Sequence, residues 1–157
     1  QHWTEDITPY LRQLFLNDNL IGSRESPSSH DADQLICGGF FGLPGTAQMK
    51  YFFAAFLERY EVSLAETTRE GDFKHFEDDQ AYLTKFAKDN NVEITWLNHC
   101  VYANGLWYEG KLETSNCNQP GVIHNNYIIG IAQKVDRAKE NGQWYLDSAE
   151  KCRREAI

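Results

Sequence analysis

The chain has 157 residues, 41% hydrophobic and 13% aromatic, so it can bury a core of its own and is neither disordered nor collagen-like. Its formal net charge of -8, with Lys and Arg scattered, provides no positive stripe to displace counterions from a phosphate backbone. Nucleic acid and anionic membrane are thereby disfavoured as partners, whereas a nucleotide diphosphate is not, because one divalent cation supplies the positive charge locally.

No apolar run approaches the roughly 20 residues of a spanning helix, and the start Gln1-His2-Trp3-Thr4 does not read as a signal peptide. Cys37, Cys100, Cys117 and Cys152 lack CxxC spacing, which disfavours a zinc site and leaves disulfides open. There is no Asn-x-Ser/Thr sequon.

In chain order, Thr8-Pro9 opens a short helix through Phe15, with apolar groups at helical spacing. Leu20 to Ser23 reads as a brief strand, and Ser23 to Ser29 as a surface loop. Leu35-Ile36-Cys37-Gly38-Gly39-Phe40-Phe41 predicts a buried strand whose glycines mark either the close approach of a ligand or a bulge. After Gly45-Thr46 comes a helix with Met49, Phe52, Phe53, Phe56 and Leu57 on one face. Glu66 to Phe76 reads as a loop. Asp78-Asp79-Gln80 then opens a second helix to about Lys88, its acids suiting the positive end of the helix dipole. Val92 to Leu97 predicts a strand, Asn104-Gly105 a turn, and Cys117 to Gly121 an irregular stretch.

Gly121 to His124 reads as a buried strand feeding a helix from about Asn126 to Lys139, with Ile128, Ile131, Val135 and Ala138 on one face. Asn141-Gly142 stops it, and Trp144-Tyr145-Leu146 is a candidate last strand. Alternating strands and helices imply an α/β domain with a mixed sheet flanked by helices. His124, at a strand end ahead of a helix N-terminus, stands where backbone N–H groups favour an anion. It can ligate a divalent ion there, or serve as a cap or packing residue. Lys134 is expected two to three turns into that helix.

His124-Asn125-Asn126-Tyr127-Ile128-Ile129-Gly130 with Lys134 resembles the His-x-Asn…Gly…Lys element of the nucleotide-diphospho-sugar transferase family. Cys37-Gly38-Gly39-Phe40-Phe41 is similar to that family's glycine-aromatic strand, and Asp79-Gln80 to its Asp-Gln pair, in the same order along the chain. The resemblance spans about Ile7 to Asp147 and implies a GT-A type fold of which this chain is the C-terminal, substrate-binding part. It implies transfer of a sugar from a nucleotide-sugar donor to a hydroxyl of a glycan or glycoprotein acceptor, with manganese or another divalent cation bridging the phosphates. It also implies the Golgi lumen.

By the resemblance, His124 contributes a metal ligand, Gly130 and Lys134 face the diphosphate, and Asn126 lies in the same element. Asp79 and Gln80 fall near the transferred sugar as catalytic candidates, and Gly38-Gly39 lets donor or acceptor approach. The family's metal-binding Asp-x-Asp follows an apolar strand in the nucleotide-binding half, which is expected to be lacking here. Asp31-Ala32-Asp33 has that spelling but precedes its strand, so it reads as the lead-in to the glycine-aromatic strand, with Asp33 a substrate-contact candidate. The bland reading of Asp79 is a helix terminus, and that of Gly38-Gly39 is relief of crowding. Trp96, Trp107 and Trp144 can stack on sugars, but core packing is the more common role for any one of them. A non-catalytic carbohydrate-binding or assembly module is the competing reading. A metal-dependent hydrolase would need denser His and Asp than the widely spaced His2, His30, His75, His99 and His124.

Overall fold

Strand β2 (Leu20–Arg24) is buried on both faces and organises the fold. Alternate residues point to opposite sides of a strand, so Leu20 enters one core and its neighbour Ile21 another. Strand β3 (Ile36–Gly42) divides the same way, Ile36 to the first core and Cys37 to the second. A computed structural model establishes this arrangement for residues 2–3, 6–25, 34–71, 78–112 and 114–144.

β3 pairs antiparallel with one edge of β2, and β4 (Ile94–Trp96) pairs parallel with the other, giving a mixed sheet of order β3-β2-β4. The long connection from β3 to β4 carries α2 (Ala47–Glu70) and α3 (Asp79–Asp89). Met49, Phe52, Phe56, Leu83 and Ala87 from these helices pack with Leu20 and Ile36. On the other face lie α1 (Thr8–Leu14) and a small sheet of β1 (His2–Trp3), β6 (Val122–Ile123) and β5 (Tyr102–Ala103). The α/β architecture with a mixed sheet flanked by helices is the one the sequence predicts.

Helix α2 starts where Thr46 accepts the Met49 N–H at 3.3 Å. It ends at Gly71 in the left-handed conformation, φ 69°, so Glu66 to Glu70 are helical rather than loop. Their polarity signals only a solvated face. Leu57, expected in the core, is 43% exposed.

The larger correction concerns the last helix. α4 runs Ile131–Glu140, beginning five residues later than predicted, with Gly130 as its N-cap. Tyr127 at φ 57° and Gly130 at φ 96° are incompatible with a right-handed helix. The side chains of Asn125 and Asn126 hydrogen-bond elsewhere, holding the preceding segment as a loop. Lys134 is therefore one turn into α4, its N–H bonded to the Gly130 carbonyl at 3.3 Å. Ile131, predicted on the packed face, is exposed, while Ala138 is buried. Trp144 follows in irregular structure, and Tyr145-Leu146 fall outside the described residues. So does most of the expected loop from Ser23 to Ser29, although Ser23 and Arg24 are themselves in β2.

Candidate functional site

The ladder between β2 and β3 breaks where the two glycines stand. Gly22 pairs with Phe41 and Arg24 with Ile36, so the single residue Ser23 lies opposite the four residues Cys37 to Phe40. Such a bulge bends the strand and turns successive residues to different sides. The Ser23 hydroxyl donates to the Phe40 carbonyl, tying the bulge back to β2. Gly38 and Gly39 are exposed on it.

Each glycine lies under a different side chain. A β-carbon on Gly38 would meet Gln80 Cγ at 3.0 Å and Asp79 Oδ2 at 3.5 Å, whereas one on Gly39 would overlap the His124 ring. The bulge thus brings Asp79 and Gln80 to one side and His124 to the other. Neither glycine has positive φ, so close approach rather than backbone conformation requires them.

On the His124 side, the strand end is fixed by the His124 N–H bonded to the Ala103 carbonyl at 2.8 Å. The imidazole is half-buried, with Nδ1 3.5 Å from Cys37 Sγ. Burial holds its pKa below the usual histidine value, with the Lys134 ammonium acting in the same direction and Glu25 opposing. The neutral ring that results is the form that ligates metals. His124 and Lys134 line one cavity of about 430 Å³, together with Tyr108, Asn125 and Val135. The structure therefore brings these two predicted residues together.

Asn126 has an internal task. Its Oδ1 accepts the Gly105 N–H at 2.5 Å, and its carbonyl accepts from Arg137, which also donates through Nε to Asn125 Oδ1 at 2.7 Å. Asn125 Nδ2 donates to the Lys134 carbonyl at 2.8 Å. This network anchors the loop between His124 and α4. Gly130 lies at its far end, under the Gln133 side chain, which a β-carbon there would strike. The start of α4 has no side-chain cap.

On the other side, Asp78 caps α3 by accepting the Ala81 N–H at 2.9 Å, leaving Asp79 free of that duty. Gln80 Oε1 accepts the Gly38 N–H at 2.7 Å, replacing the ladder bond that the bulge removes. Thr84 reinforces the join, donating to the Gln80 carbonyl at 2.7 Å and accepting the Ile36 N–H at 2.9 Å. Beside them opens a cavity of about 240 Å³, walled by Phe53, Phe56, Leu57 and Tyr60 of α2.

Glu25 emerges as an unexpected member of the site. Its carbonyl accepts from Asn104 Nδ2 at 2.7 Å and from the Tyr127 hydroxyl at 2.9 Å, and its Oε1 lies 3.5 Å from Asn126 Nδ2. Its Oε2 is buried without a hydrogen-bond partner among the described residues. Burial, reinforced by this carboxylate, pushes the Cys37 thiol up to about 12 and raises Tyr127 as well. Glu25 follows a strand and precedes Ser-rich sequence, and nothing local marks it. A disulfide joins Cys100, just ahead of β5, to Cys117 in the connection between β5 and β6, the strand that delivers His124. Asp33 lies outside the described residues.

Among the described residues no three His, Cys, Asp or Glu side chains gather as a metal site. His124, half-buried and neutral, with Lys134 on the same cavity, fits one protein ligand of an open site whose other ligands include phosphate oxygens and water.

The sequence model described as nucleotide-diphospho-sugar transferase matches residues 2–138. A UDP-galactose:fucoside alpha-3-galactosyltransferase of Dictyostelium discoideum is 35% identical over 69 residues, 43% of this chain and 11% of that protein. The UDP-D-xylose:L-fucose alpha-1,3-D-xylosyltransferase MGP4 of Arabidopsis thaliana is 23% identical over 92% of this chain and 42% of its own length. The Arabidopsis UDP-D-xylose:L-fucose alpha-1,3-D-xylosyltransferase 3 is 24% identical over 92% of this chain and 40% of its own. The chain thus spans about two fifths of the plant relatives it matches. No solved structure matches it.

Proposed function

Because the chain belongs to the nucleotide-diphospho-sugar transferase family, we propose that it carries the acceptor side and part of the donor side of an active centre that moves a sugar from a UDP-sugar to a fucoside hydroxyl. One observation carries this reading. The β3 bulge packs His124 against Gly39 and Gln80 with Asp79 against Gly38, creating two adjoining subsites at one bare stretch of backbone.

In this reading the 430 Å³ cavity takes the donor diphosphate. His124 offers a neutral imidazole to manganese or another divalent cation, and Lys134 places its ammonium toward the phosphates, with Gly130 and the uncapped start of α4 beside it. A divalent cation, when bound, neutralises charge developing on the leaving nucleotide. Its remaining protein ligands come from outside the described residues, and Asp33 contributes to donor contact there. Asp79 orients the acceptor hydroxyl and takes its proton, while Gln80, held by Gly38, stands where the acceptor meets the transferred sugar. Asn126 acts by fixing the loop that carries His124.

The Cys100–Cys117 disulfide suits an oxidising compartment, which supports the Golgi lumen as the place of action. No helix among the described residues is long and apolar enough to cross a membrane.

The test is thermal stability of the chain titrated with manganese and UDP. Wild type is expected to gain stability only with both present, and His124→Ala to lose the response while Lys134→Ala weakens it. An undiminished response from His124→Ala would overturn the metal role.

A further inference from the structure

The 240 Å³ cavity between α2, α3 and β3 has an uneven lining. Ile36, Phe41, Phe53, Phe56, Leu57 and Leu83 supply its apolar lining, with the Phe53 ring centroid 6.0 Å from that of Phe41 and 5.5 Å from that of Phe56. Asp79 and Gln80 are gathered at one place in the lining, against Gly38. Tyr60 adds a hydroxyl to the lining, and Asp79 and Asp78 add to the effect of burial in raising its pKa. Gln80 Oε1 is committed to the Gly38 N–H, so its NH2 group is the part left for a ligand.

A sugar entering such a cavity is oriented by its own polarity. Ring hydroxyls need the acid and amide at the mouth, because an unpaired hydroxyl is costly to bury. Apart from these groups and Tyr60, the lining offers only hydrocarbon and aromatic rings. An exocyclic hydroxymethyl group would find no partner there, whereas a methyl group would bury its surface against Phe53, Phe56 and Leu57 at no polar cost. The volume lies below the about 300 Å³ at which whole drug-sized ligands begin to fit, so the cavity holds one sugar residue or part of one.

We propose that this cavity is the acceptor subsite and that it selects a 6-deoxy sugar, seating the methyl group against Phe53, Phe56 and Leu57 with the ring hydroxyls at Asp79 and Gln80. The inference rests on the acceptor assignment above and adds the physical basis of its selectivity. Leu57 becomes a specificity-determining residue, which accounts for a leucine left 43% exposed on the wall of a cavity.

The experiment compares methyl α-L-fucopyranoside with methyl α-L-galactopyranoside, which differs only by a hydroxyl on C6, using saturation-transfer NMR and competition titration on the chain. The fucoside is expected to receive its strongest saturation at the methyl protons and to bind about tenfold more tightly, the lower range for a pocket that reads one small group. Leu57→Gln should bring the two sugars close to equal. Leu64→Gln, an exposed position on the same helix away from the cavity, should leave the ratio unchanged. If the fucoside binds but its preference survives in Leu57→Gln, the cavity is not where the methyl sits and the acceptor assignment stands without it. If neither sugar binds with or without UDP and manganese, the acceptor assignment falls and the inference with it.

Discussion

Replacing Gly39 by alanine tests the junction on which the site depends. The backbone at Gly39 is open to any L residue, so the cost is steric alone: the new methyl would occupy space now held by the His124 ring. The ring cannot simply withdraw, since Cys37 Sγ lies 3.5 Å from Nδ1 and the Tyr102 ring centroid 6.2 Å from its own. Overpacking of this kind costs about 1–3 kcal/mol. If His124 instead rotates away, stability recovers but the ligand loses its orientation, and metal affinity should fall about 10–100-fold, as when a supporting contact of a ligand is lost. Gly38→Ala is the matched control. Its β-carbon would meet the flexible Gln80 side chain at 3.0 Å from Cγ and Asp79 Oδ2 at an ordinary 3.5 Å, and should cost about 1 kcal/mol or less. Urea unfolding and manganese titration in the presence of UDP read both effects. The Gly39→Ala/His124→Ala double variant should recover most of the lost stability, because the clash disappears with the ring. Gly39→Ala matching Gly38→Ala in both stability and metal affinity would refute the reasoning.

Asn126→Ala should destabilise the chain by about 1–3 kcal/mol in urea unfolding, since it strands the buried Gly105 N–H and frees the loop that carries His124. Breaking the Cys100–Cys117 disulfide with paired serine substitutions should cost about 3 kcal/mol, the loop-closure value for a ring of this size; an unchanged denaturation midpoint would exclude it. Cys37, fully buried and with its thiol pushed up to about 12, should resist iodoacetamide in the native state and react only at the rate of unfolding. His124 has its folded pKa depressed, so the unfolded state binds the extra proton. Its contribution to stability is full above about pH 6.5 and is lost as pH falls from there toward the folded value, and His124→Gln should flatten that part of the stability–pH curve.

Strands β2 and β3 and helix α2 were legible because Leu20–Ile21 and Ile36–Cys37 are apolar in succession, as buried strands are, and because Met49, Phe52 and Phe56 keep the helical period. The caps Thr46 and Asp78 announced α2 and α3 in the same way. What the sequence could not show was where side chains leave the regular pattern. Ile128 to Ala138 has helical spacing throughout, but Asn125 and Asn126 spend their amides on Lys134, Gly105 and Glu25, and this keeps the first part of that stretch out of α4. Glu25 was invisible because its role depends on partners 79 to 102 residues away. The glycine pair was visible, and of its readings the structure shows the bulge, with the side chains of Gln80 and His124 lying against it. The bulge is what permits the approach.

That arrangement also explains why the site's parts are spread along the chain. A regular strand would leave Gln80 without its bond to Gly38, because the strand's N–H groups are committed to the ladder. Adding residues to β3 opposite Ser23 frees the Gly38 N–H for Gln80 and turns Gly39 toward His124. Each contact then depends on a different fold element: Gln80 on the capped start of α3, and His124 on the end of β6, where its N–H bonds the Ala103 carbonyl of β5. A perturbation at one glycine should therefore be felt in one subsite and not the other. Gly39→Ala should weaken manganese and UDP while sparing fucoside binding, and Gly38→Ala should do the reverse.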